Sequence, residues 1–366
     1  MNSLISKFKN KIKTFDINGN AKMFFIAPLA VVLIMIICGC CYQFTNTKYD
    51  KFANISVDFQ GGTMMTVEFN GQDNMNSGSG YDANLAIITE ALAEEGFVVS
   101  IAQSSGSNAI IVKYLNTSTK GDQIVDYNSD EKVGEMNTIN ENIQLAIADK
   151  ATSYYDGAVT VNSTATLIGN SASIKLLRTA LISVAVALAL MLIYIIIRFD
   201  LYSGLAAVVA LLHDILIMMS FTVIFYVEIG STIVAGIITI VAYSINNTIV
   251  VFDRIRSNMK PYKKAGTKFE LGDVVNSAIY STMTRTLFTT LTTAATVTLL
   301  AIFGVASLQN FALPILFGLI AGFYSSAFLA APMWGYFKNL GDKIKISNKN
   351  HKFNKNKKDN ARLKKA

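Results

Sequence analysis

The chain has 366 residues, of which 52% are hydrophobic and only 16% charged, with a mean hydropathy of +0.39 and a formal net charge of +7. Soluble globular chains carry about 25% charged residues, so this composition excludes an ordinary soluble protein and points to a bilayer. The positive balance is uneven, because the segment 45–173 holds 16 acidic and 6 basic side chains while the remainder is strongly basic.

A spanning helix needs roughly 20 apolar residues. The first such run, 22–44, follows a basic N-terminal segment, 1–21, that carries Lys7, Lys9, Lys11 and Lys13. Cys38, Cys40 and Cys41 lie at its outer end. "ICGC" resembles a lipoprotein cleavage site, yet the run is nearer to full spanning length than to a signal-peptide core. It reads as an uncleaved helix in which the cysteines are small apolar filler.

Residues 45–173 then form one extracytoplasmic domain without cysteine. "ISVDFQGGTMMTVEF" (55–69) alternates on either side of a Gly-Gly pair and reads as two strand pieces around a tight backbone feature. "QDNMNSGSGYD" is a polar loop and "ANLAIITEALAEEG" a helix with a glycine stop. "FVVSIAQS" and "NAIIVKYL" read as a strand pair. The stretch 116–137 shows no apolar period and reads as a mobile loop. "NENIQLAIADKATSYY" is a second helix, and "GAVTVNSTATLI" a last strand. The order β-α-β-β-α-β predicts a split α/β sandwich of the ferredoxin type.

Five more apolar runs follow, at about 174–197, 203–226, 231–252, 283–303 and 310–337. They predict a bundle over 174–337, broken by a loop at 253–282, with a basic tail at 338–366. The fold class is an α-helical integral membrane protein with six transmembrane helices and one α/β ferredoxin-like extracytoplasmic domain between helices 1 and 2. Within the loop, "LGDVVNSAIYSTM" is amphipathic and reads as a segment lying on the membrane surface before the fifth span. Lysines and arginines concentrate in the N-terminus, the 253–282 loop and the tail, which alternation puts on one side. The turns 227–231 and 304–309 hold neither. The positive-inside rule makes the basic side cytoplasmic, with both termini there. The basic tail fits anionic lipid or a cytoplasmic partner, and not nucleic acid. Gly318 and Gly322 read as a helix-packing face, and Pro314 as a bend in the last span.

Ionisable side chains at depth are costly and need a reason. Asp214 lies near mid-bilayer, preceded by His213, and neighbours on a helix point about 100° apart, so the two need not share a partner. Asn246 and Asn247 sit in "YSINNTIVVFDRIR", where Tyr243, Asn247, Val250 and Arg254 make one stripe at helical spacing. Arg285 lies at a depth similar to Asn247 on an antiparallel helix. Asp214 and Arg285 form either a neutralising buried pair or part of a proton or ion path. Asp253, Arg254 and Arg256 at the water edge read as snorkelling anchors. No catalytic or metal-binding pattern stands out: "DFQGGT" lacks the basic residue and helix start of a phosphate loop.

"VDFQGGT" (57–63), "RFD" (198–200), "ALLHDILI" (210–217), "YSINNTIVVFDRIR" (243–256) and "STMTRTLFTTLTT" (281–293) together resemble the SecD/SecF family of protein-export membrane proteins, in its smaller, SecF-type branch. These motifs cover nearly the whole membrane part; the external domain beyond "DFQGGT" matches more loosely. The resemblance implies a motor of the resistance-nodulation-division superfamily. It implies pairing with a SecD-like six-helix subunit, association with the SecYEG channel, and action on a translocating secretory polypeptide. The driving force would be the ion gradient, with no cofactor. In the family the fourth span typically reads Asn-Asp, the aspartate being implicated in proton movement. Here that position is Asn247, and an amide carries no proton; the family's cation is matched by Arg285. Three repairs are open: the partner's aspartate carries the coupling alone, Asp214 is a second carrier, or the ion is sodium, for which an amide oxygen is a suitable ligand. A stand-alone exporter of small molecules or lipids of the same superfamily is the rival reading, and a purely structural scaffold a third.

Overall fold

The computed structural model describes residues 16–44, 51–71, 78–120, 123–267, 269–304 and 306–341. The lysines before residue 16, the basic tail beyond residue 341 and the part of the polar loop at 72–77 lie outside the described residues.

Among the described residues, six helices are long and apolar enough to cross a membrane. They are α1 (Ile26–Phe44), α4 (Asn170–Arg198), α5 (Leu201–Ile224), α6 (Thr232–Ala265), α7 (Leu271–Phe303) and α8, which starts as Ala306–Ser325, widens into a π turn at Ser326–Ala330 and runs on to Gly341. α5, α6 and α8 form the inner set, whereas α1, α4 and α7 show most of their apolar surface to the outside.

Between α1 and α4 stands the external domain. Its elements are β1 (Gly62–Asn70), α2 (Ser79–Glu94), β2 (Val99–Ser105), β3 (Ala109–Tyr114), β4 (Thr117–Lys120), β5 (Gln123–Asp126), α3 (Val133–Tyr154) and β6 (Thr160–Ile168). The main sheet is antiparallel in the order β2-β3-β1-β6, the split-sandwich order expected. Side chains alternate across a strand, so Met65, Val67 and Phe69 of β1 and Ile110, Val112 and Tyr114 of β3 share one face. That face is buried against Ile88 and Leu92 of α2 and Ile143 and Ile147 of α3. Burying one such side chain stabilises by about 1.5–3 kcal/mol. The chain enters the domain at β1 and leaves from β6, which are paired over nine residues each, from Gly62↔Ile168 to Asn70↔Thr160. The strands by which the chain enters and leaves the domain are therefore direct neighbours.

Three expectations are corrected. The Gly-Gly segment is not two strand pieces. Val57–Gln60 is a helical turn in which Asp58 N–H donates to the hydroxyl of Ser56, and only Gly62 onward is strand. Gly61 takes a φ of 79°, and a Cβ on Gly62 would stand 2.6 Å from the Tyr114 carbonyl oxygen, so both positions exclude other residues. The stretch 116–137 is not a loop, because β4 and β5 pair as a hairpin and α3 already begins at Val133. Strands of only four residues, TSTK and QIVD, are too short to show a period; this pair is pinned instead by Thr119 N–H to Gly96 O at 2.8 Å and Ser118 Oγ to Glu95 O at 2.6 Å. The loop 253–282 and its surface helix are likewise mostly extensions of α6 and α7. Ile255 and Met259 continue the buried stripe of α6, and Val274, Val275, Ala278 and Ile279 give α7 one from its start. At 1.5 Å per residue α6 is about 51 Å long, well beyond a hydrocarbon core of about 30 Å. Gly266, left-handed at φ 65°, ends it.

The N-terminal segment adds a plug that composition did not reveal. Ile17 is buried among Val274, Val275, Ala278 and Trp334. Asn276 fixes the plug, accepting from Asn18 N–H at 3.0 Å and donating to Asp16 Oδ1 at 2.7 Å.

Candidate ion-coupling site

Asp214 is fully buried midway along α5. Its Oδ2 accepts hydrogen bonds from Ser244 Oγ of α6 and from Ser325 Oγ of α8, the second at 2.9 Å. Its Oδ1 lies 2.9 Å from His213 Nδ1. The adjacent imidazole bends back onto the carboxylate itself. The ring also stacks on Tyr324, at 5.9 Å and 24°, and its Nε2 is buried with no hydrogen-bond partner among the described residues.

Close helix approach brings these groups together. A Cβ on Gly318 would stand 2.5 Å from Ile240 Cγ1, and one on Gly322 would stand 3.2 Å from Ser244 Cβ. The glycine face thus packs α8 on α6 within the chain, as expected for small residues in a bilayer. Two hydroxyls meet a carboxylate at the centre, and the π turn begins immediately after Ser325. π turns of this kind are frequent at functional positions.

Arg285 does not join this cluster. It is exposed on α7, and among the described residues no ion pair includes it, so a neutralising pair with Asp214 is ruled out in this arrangement. It opens instead onto a groove of about 480 Å³ between α6 and α7, with Val250, Asp253, Arg254 and Ser281. Arg254 Nε donates to Ser281 Oγ at 3.0 Å, while Asp253 lies 3.6 Å from Arg198. Asn246 is exposed as well. Asn247 faces inward, 2% exposed, with its Nδ2 unpartnered among the described residues, as are the hydroxyls of Tyr243 and Thr290. These three buried polar atoms lie on two packed helices, α6 and α7.

Sequence reasoning missed Ser244 and Ser325 as partners of Asp214. The signal was the recurrence of hydroxyls on the spans flanking a lone acid. It also missed Glu228, a single acid in a short turn. Glu228 is buried, pairs with Lys113 of β3, and accepts from Asn310 Nδ2 of α8 at 2.9 Å.

Residues 147–340 match the family model for "Protein export membrane protein SecD/SecF, C-terminal", which is more than half of the chain. The protein translocase subunit SecF of Acidaminococcus fermentans is 29% identical over 327 residues, covering 89% of this chain and 98% of that protein. The protein translocase subunit SecDF of Bacillus subtilis is 42% identical over 160 residues, 44% of this chain and 22% of that one. The crystal structure of SecDF, a translocon-associated membrane protein from Thermus thermophilus, superimposes with a TM-score of 0.61 at 28% identity, covering 89% of this chain and 39% of that chain. This chain therefore spans nearly all of a SecF relative but well under half of the SecDF proteins. With six spans, an external split sandwich and the matched motifs in place, the chain belongs to the SecD/SecF family of protein export membrane proteins.

Proposed function

We propose that the chain is the SecF-type accessory subunit of the bacterial Sec translocase. With a SecD-like six-helix partner it uses the transmembrane ion gradient to promote late steps of protein export across the cytoplasmic membrane. Both termini face the cytoplasm, on the strength of the basic residues that flank the even-numbered side of the spans. Contact with the SecYEG channel and with a secretory polypeptide is part of this reading, supported by the names and motifs of its relatives.

The observation that carries it is the Asp214 carboxylate, buried among three helices with two hydroxyls and an imidazole and, among the described residues, no lysine or arginine against it. Such a group is costly in hydrocarbon by about 2.5–3.5 kcal/mol, and a gradient-driven machine gives it a use. A proton bound there neutralises the carboxylate. A sodium ion would find hard oxygen ligands in the acid and both serines. Moving α8 against α5 and α6 alters the ligand set, so occupancy and helix position are linked. Asn247 and Arg285 lie outside the cluster, which favours Asp214 over the usual fourth-span position as this subunit's carrier.

The partner reading rests on α7. Its exposed threonines satisfy themselves by donating back to helix carbonyls, for example Thr289 to Arg285 O and Thr292 to Phe288 O, both at 3.0 Å. The Arg285 guanidinium has no such recourse, and a second bundle over this face would cover it. A stand-alone exporter would leave half of a pseudo-symmetric path unlined.

The test is Asp214→Asn in cells depleted of the native subunit. Gradient-dependent secretion should fall to the level without the subunit, with the membrane content of the variant unchanged and SecD and channel subunits still co-purifying. Secretion that keeps its full gradient dependence would overturn the coupling role; recovery as a lone homo-oligomer would overturn the export assignment.

A further inference from the structure

The end of the bundle away from the external domain holds a second polar cavity, remote from Asp214. About 280 Å³ in volume, it opens where the α4–α5 turn, the extension of α6 and the last turns of α8 meet. Arg256, Lys263 and Lys338 line it, from two different helices, and Asp200 is the single acid in its wall. Asp200 is engaged as the cap of α5. Its Oδ1 accepts from Ser203 N–H at 2.7 Å and Ser203 Oγ at 2.6 Å, and Trp334 Nε1 lies 3.3 and 3.4 Å from the two oxygens. Apart from Ser203 the remaining wall is apolar or aromatic, with Phe252 and Met259 both buried. Lys338 Nζ lies 3.7 Å from Met259 Sδ and 4.6 Å from the Trp334 ring centroid, so its charge is held over soft, polarisable groups. Arg256 gives one N–H to Arg198 O at 3.2 Å and lines the cavity.

The depth is that of the membrane–water edge. Arg256 lies about 36 Å along α6 from Thr232 at 1.5 Å per residue, past a hydrocarbon core of about 30 Å. An indole at this level is characteristic of the interface. Three cations above apolar walls match an amphiphile with an anionic head, and match a free anion poorly, because the apolar half would be left wet.

We propose that this cavity binds the phosphodiester headgroup of an anionic phospholipid, with Arg256, Lys263 and Lys338 around the phosphate and the top of an acyl chain against Phe252 and Met259. The volume suits a headgroup, being at the small end of ligand pockets. The site stands apart from the ion-coupling reading, and neither depends on the other.

Trp334 is the only tryptophan in the chain, so its emission reports on this cavity alone. The full chain in neutral detergent is titrated with short-chain phosphatidylglycerol, with short-chain phosphatidylcholine and with inorganic phosphate. A saturable emission change with phosphatidylglycerol only is the expected result. Arg256→Gln with Lys338→Gln should weaken it at least about tenfold, the loss of charge-assisted contacts. Lys260→Gln with Lys264→Gln removes equal charge from α6, which also carries Arg256, outside the cavity and should shift it less than about twofold. Equal weakening in the two pairs would mean diffuse surface attraction and overturn the site. Saturation by phosphatidylcholine, or by inorganic phosphate at matched concentration, would overturn the assignment to an anionic lipid. The wild-type comparison needs no variant, so a misfolded substitution leaves the test intact.

Discussion

Lys113 of β3 and Glu228 of the α5–α6 turn form an ion pair that is nearly closed to solvent, with side chains 14% and 4% exposed. Lys113 stands on the sheet face opposite the external core, so the pair joins the domain to the bundle. Around it the two backbones also bond: Ser56 N–H donates to Ile229 O at 3.0 Å, and Ile229 N–H to Asn54 O at 2.7 Å. Asp58 Oδ2 accepts from Ser231 N–H at 2.9 Å and from its hydroxyl at 2.7 Å.

Removing one member of a buried pair strands the other. Lys113→Met should cost about 3 kcal/mol, and Lys113→Met with Glu228→Leu clearly less. Hydrogen exchange at 54–56 and 229–231 reads the docking. Faster exchange in the single variant and recovery in the double are expected; equal exchange in all three would show that the backbone bonds alone hold the domain.

Asn247→Asp places an acid on the buried side of α6. Assembly is expected to be kept and the proton dependence of export to rise. Arg285→Ala should impair export without lowering the amount of protein in the membrane, since the side chain is exposed and no pair within the described chain depends on it. Immunoblots of membranes alongside secretion rates decide both, and a loss of protein in the arginine variant would return that residue to a purely structural role.

Gly318→Ala adds a Cβ 2.5 Å from Ile240 Cγ1, whereas Gly236→Ala meets nothing nearer than 3.6 Å. Overpacking of this kind costs about 1–3 kcal/mol, so the first variant should lower the unfolding temperature in detergent and the second should not. Because the same contact seats Ser325 beside Asp214, the first should also slow export.

Hydrogen bonds from Asn276 and then from Gly19 N–H hold the Asp16 carboxyl below its ordinary value of 3.8. The folded value is depressed, so this contribution is present above pH 3.8 and is lost as pH falls through the lowered value. Limited proteolysis before Ile17 should be slow at neutral pH, accelerate only in strong acid, and be fast at every pH in Asp16→Ala. A wild-type rate that rises between pH 7 and 5 would contradict this.

The six spans and the split sandwich were legible because length, hydropathy and period-2 alternation are strong local signals. Where reading failed, the cause was tertiary. Residues 253–265 and 271–282 look like a polar loop because their charges face water, yet Ile255, Met259, Val274 and Ala278 were already a helical stripe awaiting a neighbour. The hairpin of β4 and β5 owes its place to carbonyls at the end of α2, which no pattern within its own residues displays. At the candidate site the acid could be found from its cost alone, but Ser244 and Ser325 lie 30 and 111 residues away in sequence. Only the glycine face on α8 brings them within reach.

α8 grips α5 at two points: Ser325 at Asp214, and Trp334 at the Asp200 cap. The wide turn at Ser326–Ala330 falls between those grips and sets the azimuth of one relative to the other. Adding or deleting a single residue there would swing the distal part of α8 by about 100°, so that only one hold could survive. The count of residues in that interval thus works like the keyway of a shaft, locking the carboxylate midway along α5 and the indole near its N-terminal cap into a common phase.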